Sequence, residues 1–197
     1  SRTVAIQANG NTTLTQTINI KKPHLWIPDD PYLHAVISEI KSDLKTIDGI
    51  RTKIGIRKIE FKGQEGFFLN NKPFNDKLIG ANRHQDFAYI GNAVSNSLHW
   101  RDVQKLRNAN MRIIRSAHYP QDPAFMDACD ELGMFIIVAT PGWQFWNKGP
   151  IFEERVCSDI RNMVRCDRKH PSVIMGEPFL NEKSYPAYFG QKVYNTT

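Results

Sequence analysis

The sequence predicts an α/β fold in two parts: a partial (β/α)8 barrel of about four strands, preceded by part of a β-sandwich. Three observations carry the prediction. Alternating, strand-like patterning gives way near residue 60 to a strand–helix–strand order. In the second part, polar clusters stand just past the end of each strand: Asn82-Arg83-His84, Ser116-His118-Tyr119, Trp143-Gln144 and Asn181-Glu182. That is where a barrel collects its functional groups. The competing doubly wound sheet would want a Gly-rich loop after its first strand, and "GANRHQDF" is not one.

In the first part, "TLTQTINI" places Leu14, Gln16, Ile18 and Ile20 on one face of a strand. "LHAVISEI" alternates less strictly, with Leu33, Ala35 and Ile37 in phase and Val36 and Ile40 out of it. Asp48-Gly49 is a turn signal. "IRTKIGIRKIEF" then reads as one further strand carrying Ile50, Ile54, Ile56 and Ile59. Short strands separated by turns predict a sandwich. Roughly four strands are too few for an immunoglobulin-like sandwich of about seven.

In the second part, "FFLNNKPF" predicts a small hairpin turning at Asn70-Asn71. "KLIGAN" is a short buried strand, followed by a helix over about 98–108 with Val103 and Leu106 inward. "MRIIRSAHYP" is the next strand. Asp122 then caps a helix whose first position is Pro123, where a missing N–H costs nothing. Phe125, Met126, Cys129 and Leu132 follow at helical spacing, and Gly133 supplies the left-handed stop. "MFIIVA" is the continuous apolar run of a strand covered on both faces. Val156, Ile160, Met163 and Val164 mark a third helix, and "SVIM" closes the series. A whole barrel needs eight strands and about 250 residues; this chain has 197.

Composition narrows the function classes. Hydrophobic residues at 41% and charged residues at 23% fit a soluble globular protein. No run approaches the roughly 20 apolar residues of a membrane span, so no membrane partner is expected. "SRTVAIQANGNTTL" lacks the basic start and apolar stretch of a signal peptide and does not resemble a natural start, which leaves the compartment open. The net charge of +6 raises nucleic acid as a partner, but the cations are scattered and the densest group, "RCDRK", contains an Asp. A solvated basic surface, with no nucleic acid bound, is the reading. The three cysteines, Cys129, Cys157 and Cys166, show neither a C-x-x-C pair nor metal-ligand spacing, and Cys129 and Cys157 read as buried thiols.

Six motifs occur in order: "PHLWIPDDPYLHAV", "GIRKIEF", "GFFLNNKPF", "GANRHQDF", "RSAHYPQDPAFMDACDELGMFII" and "RKHPSVIM…LNE". Together they resemble family 2 of the glycoside hydrolases, which holds β-galactosidases, β-glucuronidases and β-mannosidases. The resemblance runs from about residue 23 to 185. It implies that residues 1–59 are the C-terminal part of an immunoglobulin-like β-sandwich domain and residues 60–197 the N-terminal half of a TIM-barrel catalytic domain. By that template the chain is an internal fragment.

The resemblance also implies a site. Retaining glycosidases work with two carboxyl groups about 5–5.5 Å apart, a general acid/base and a nucleophile. Glu182, in the Asn-Glu pair after the fourth barrel strand, matches the acid/base. Asn181 matches a residue that hydrogen-bonds the sugar 2-hydroxyl. From local sequence alone, Glu182 reads equally as a solvated glutamate past a strand end. The nucleophile's strand lies beyond this chain, so the polypeptide alone is expected to be inactive. His84 matches a contact to substrate hydroxyls, against a histidine bonded within its loop. Arg115 and His118 match residues of the sugar pocket. Arg115 would hydrogen-bond the nucleophile's carboxylate, against a structural ion pair. Asp86 would bind a sugar hydroxyl or cap a turn. Trp143, with Trp146, would form a platform for a pyranose ring or pack in the core. Glu177 is a rival carboxylate, held extended by Pro178 and better suited to a structural role.

Two departures from the family stand out. Gly176 stands where the family usually has a Trp, and the segment after Met175 is one residue longer. "VATPGW" replaces an acidic run that helps some β-galactosidases bind Mg²⁺, so no metal and no cofactor are expected. The expected partner is an oligosaccharide or glycoside substrate. A non-catalytic carbohydrate-binding or structural remnant is the alternative. Open barrel edges predict self-association.

Overall fold

The computed structural model describes residues 3–142, 145–180 and 185–197. Their first part holds one antiparallel hairpin, β1 (His34–Ser42) and β2 (Lys45–Ile54). Its two-residue loop is Asp43-Leu44, both at positive φ (48° and 68°), as the twist of a tight hairpin requires. The expected turn at Asp48-Gly49 is therefore corrected: Gly49 lies inside β2 and pairs with Glu39. The register shift between Ile40 and Lys41 absorbs the irregularity beside it. "TLTQTINI" forms no strand either. Alternation needs a neighbouring ladder to become structure, and among the described residues none reaches it.

The single strand expected across residues 50–61 is broken. Between β2 and β3 (Ile59–Phe61), residues 55–58 cross the bottom of the barrel part. Gly55 makes the crossing: a Cβ there would stand 2.3 Å from Pro171 Cγ. Arg57 donates to the carbonyls of Pro171 and Val173. The backbone N–H of Trp26 donates to Ile56 O at 2.8 Å. β3 continues into β4 (Phe67–Leu69) and β5 (Lys72–Pro73), a meander whose last turn is Asn70-Asn71, both left-handed, as expected. This meander plugs the bottom of the sheet. Phe67 and Phe74 place their rings 5.6 and 5.5 Å from that of Phe135, with Trp26, Leu69 and Ile174 buried around them.

Four parallel strands follow in the order β6 (Gly80–Arg83), β7 (Ile113–Ser116), β8 (Phe135–Ala139) and β9 (Val173–Glu177). The helices α1 (Asn96–Asn108), α2 (Pro123–Leu132) and α3 (Pro150–Asp167) cross over between them. This is the partial barrel the sequence predicts. The main core lies between sheet and helices and is built from Val103, Ile114, Phe125, Met126, Cys129, Ile136, Val138 and Met163. β8 uses both faces: Ile136 and Val138 meet the helices, while Phe135 meets the bottom plug. Asp122 caps α2 by accepting the Ala124 N–H at 2.8 Å, and Gly133 closes it at φ 69°. Burial pushes the Cys129 thiol well up, so it is an inert core residue. Cys157 is also buried, and Cys166 is exposed. A fourth helix, α4 (Ala187–Tyr194), was not foreseen; Phe189 and Val193 seat it on Cys157 and Ile160 of α3.

One carboxylate ties these parts together. Asp130, buried in α2, accepts hydrogen bonds from His170 Nδ1 (2.6 Å), Ser172 Oγ (2.5 Å) and the Ser172 backbone N–H (3.1 Å). Its backbone carbonyl accepts from Trp26 Nε1 at 2.9 Å. Asp127, Asp130 and His170 also bring ligand-type atoms within 4.8 Å of one another, a grouping the sequence spacing did not suggest. Its two buried members are already bonded to each other, and Ser172 takes the other carboxylate oxygen, so hydrogen bonding accounts for the cluster.

Asp130→Ala strands three buried donors at about 1–3 kcal/mol each. It is expected to lower unfolding free energy by roughly 3 kcal/mol or more, read as a fall in the urea midpoint. Gly133→Ala is expected to cost more than about 1 kcal/mol. The residue is left-handed, and a Cβ would stand 1.9 Å from Pro28 O.

Candidate active site

The C-terminal ends of β6 to β9 gather the polar residues. Arg83, the last residue of β6, is buried. A buried guanidinium must find partners for its donors, and it does. Nε donates to Asp102 of α1 at 2.5 Å, Nη1 to Gln121 at 2.5 Å and Nη2 to His99 Nδ1 at 3.3 Å. Its Cζ lies 4.1 Å from the centre of the Phe125 ring. Because His99 Nδ1 accepts from an arginine, the imidazole proton sits on Nε2. Burial first, and then the Arg83 charge, hold His99 below the ordinary value of 6.5.

His84 follows Arg83 into solvent at the mouth. His118 follows β7 across the cis peptide bond between Ala117 and His118. The two rings meet edge to face, 5.5 Å between centres, with Tyr119 at 6.3 Å from His84. Gln85 lies beside them. Its backbone N–H donates to the Tyr119 hydroxyl (2.8 Å), its Oε1 accepts from the Asp122 N–H (2.8 Å), and its Nε2 donates to Asn92 O (3.2 Å). Asp86 is exposed in the same loop.

Arg115, on β7, reaches across β8. Its Nε and Nη2 fork onto the two oxygens of Glu177 on β9 at 2.8 and 2.5 Å, and Nη1 donates to Asn82 Oδ1 at 3.4 Å. Sequence reasoning set Arg115 against a carboxylate from outside the chain. Within the chain the carboxylate it meets is that of Glu177. Two hydroxyls lock the strand ends beneath. Ser116 Oγ donates to Ile137 O and accepts from the Ala139 N–H. Thr140 Oγ1 donates to Pro178 O at 2.7 Å, and its N–H donates to Glu177 O at 3.0 Å. Gly176 faces the α3 side, where an added Cβ would meet Met163 Cε at 3.4 Å. Trp146 packs against the α3–α4 core.

Of the expected site residues, the structure brings His84, His118 and Arg115 to one rim, with Asp86 exposed beside them. Glu182, Asn181 and Trp143 lie outside the described residues. Sequence reasoning placed Arg83 in a strand-end cluster without giving it a role, and missed Gln85, Gln121 and Thr140. The buried strand expected at "KLIGAN" is corrected: β6 is an edge strand whose only buried residue is Arg83, and an arginine buried at a strand end requires nearby acceptors. The arrangement sets the exposed His84 ring beside that of His118 at the strand ends, with Arg115 paired to Glu177 next to them.

His99 makes stability depend on pH. Unfolded, its imidazole takes up a proton near pH 6.5; folded, it does so only at lower pH. Stability from this group is therefore complete above about pH 6.5 and is lost as pH falls below it. In urea titrations at pH 7.5 and 5.5, His99→Gln is expected to show a smaller drop in midpoint than the unaltered chain.

Comparison with known proteins agrees with this geometry. "Glycosyl hydrolases family 2, TIM barrel domain" matches residues 59–196, and "Glycosyl hydrolases family 2" matches residues 1–57. A β-galactosidase of Thermoanaerobacter pseudethanolicus is 33% identical over 170 residues, covering 86% of this chain and 22% of that protein. A putative β-glucuronidase of Formosa agariphila is 34% identical over 169 residues, 84% of this chain and 20% of that protein. The chain thus spans about a fifth of these curated relatives. Among solved structures, a family 2 member from Bacteroides cellulosilyticus superposes with TM-score 0.77 at 32% identity, over 88% of this chain and 23% of that one. A β-glycosidase from Bacteroides vulgatus gives 0.78 at 30%, over 89% and 23%.

Proposed function

The chain belongs to family 2 of the glycosyl hydrolases, and we propose that it contributes the acid/base half of a retaining β-glycosidase. In this reading, residues 1–59 are sandwich and residues 60–197 are barrel. Glu182 protonates the bridging oxygen of a β-linked glycoside and later deprotonates the attacking water. Asn181 bonds the sugar 2-hydroxyl, His84, His118 and Asp86 meet other hydroxyls, and Trp143 stacks on the ring. The nucleophile comes from strands outside this chain. The observation that carries the reading is the convergence of His84, His118 and Arg115 on the C-terminal rim of four parallel strands, where barrel enzymes hold their substrates.

Arg115 favours a second reading. Its fork is filled by Glu177, a carboxylate five positions before Glu182. A site whose arginine is satisfied internally suits carbohydrate binding without turnover.

Two assays separate these readings. The chain alone is expected to leave 4-nitrophenyl β-galactoside, β-glucuronide and β-mannoside intact; turnover with retained anomeric configuration would refute the missing nucleophile. Joined to the four remaining strands of a family 2 barrel, the chain is expected to hydrolyse one of these glycosides. There, Glu182→Gln should lower kcat by about 10²–10⁴-fold. The loss should shrink with a 2,4-dinitrophenyl leaving group, which needs no proton. An unchanged kcat sinks the acid/base assignment, and binding without hydrolysis in the joined protein supports the second reading. We further propose that the open edges at β6 and β9 drive self-association. A concentration-independent monomer on size exclusion would contradict that.

A further inference from the structure

We propose that Gln85 is a positioning residue that fixes His84 against His118. The inference takes its functional meaning from the reading of these two histidines as sugar contacts. They stand on different loops, after β6 and after β7, and no covalent constraint relates them. Both neighbours of His84 in sequence are fastened to the loop that carries His118. On one side, Arg83 donates to Gln121 Oε1 at 2.5 Å. On the other, Gln85 gives its N–H to the Tyr119 hydroxyl at 2.8 Å and accepts the Asp122 N–H on Oε1 at 2.8 Å. His84 is thus bracketed between two attachments to residues 119–122, which continue directly from His118.

Gln85 differs from Arg83 in kind. Arg83 is buried, bonded to α1 and stacked on the core ring of Phe125, so its loss would disturb the fold. Gln85 is only half-buried and touches loops. Its amide has the two chemistries the bridge needs: an acceptor for Asp122 and a donor for Asn92 O at 3.2 Å in its own loop. The Asp122 N–H it accepts belongs to the residue that caps α2. The clasp therefore sets the histidine pair, whose rings stand edge to face at 5.5 Å, relative to the capped end of α2.

The test uses the full 197-residue chain, labelled with ¹³C at histidine Cε1 and observed by NMR. In Gln85→Ala, the signals of both His84 and His118 are expected to move, although His118 is 33 positions away in sequence, while those of His24, His34 and His170 stay in place. Gln85→Glu, which keeps the acceptor for Asp122, is expected to restore His118 towards its original position. Tyr119→Phe removes the other anchor with little change of volume and should move the same two signals, so the proposal remains testable if Gln85→Ala fails to fold. A merely structural role would lower the urea midpoint and leave both signals unmoved in the folded variants. That result, or movement of His84 alone, overturns the proposal. Adding isopropyl thio-β-galactoside to the unaltered chain tests the sugar reading separately. If neither histidine responds to it, that reading loses support, while the coupling stands or falls on the variants.

Discussion

Everything in this half-barrel leans on the buried carboxylate of Asp130. It sits on α2, but its partners belong to the turn before β9, and the carbonyl of the same residue holds Trp26 from the segment before the hairpin. Three pieces of chain that are distant in sequence meet at one residue. A buried carboxylate is costly unless its lone pairs are filled. Here they are filled by a backbone N–H, a hydroxyl and an imidazole, so the cost becomes specificity: only one arrangement of these segments satisfies all of them at once.

The top of the sheet obeys the same rule with the sign reversed. Arg83 and Arg115 bring positive charge to the ends of β6 and β7, and each is matched by acceptors from elements further along the chain. Asp102 and Gln121 serve the first, and Glu177 serves the second. Parallel strands make this economical. All their C-terminal ends point the same way, so a side chain that leaves one strand finds the next two within reach. The rim is therefore rigid where it is charged. The less buried histidine, His84, is carried on a fastened loop.

How much of this was legible in the sequence depended on how local each instruction was. Asp122-Pro123, Gly133 and Asn70-Asn71 each encode a backbone geometry in one or two residues, and all three did what they predicted. The strand–helix alternation was also readable, because apolar spacing is a short-range signal. Asp48-Gly49 misled because a good turn dipeptide was overruled by hairpin register, which placed the reversal at Asp43-Leu44. "TLTQTINI" misled because alternation records a face and says nothing of a neighbour to pair with. At the site, the positions of His84 and His118 just beyond strand ends, and of Arg115 near the end of β7, were legible. The partnership of Arg115 with Glu177 was not, since the two are 62 positions apart and meet only once β8 has been laid between them. Gln85 carried no signal at all; an amide in a loop acquires meaning only from what surrounds it.

The crossing at Gly55 has a consequence for where this protein can be divided. A cut at residue 59 would follow the boundary that sequence families draw, yet it would strip Trp26 and Arg57 from the underside of the sheet. The carbonyls of Asp130, Pro171 and Val173 would then face solvent, and Phe135 would lose the indole that covers it at 5.7 Å. The barrel strands thus borrow their floor from residues that classification assigns to the neighbouring module.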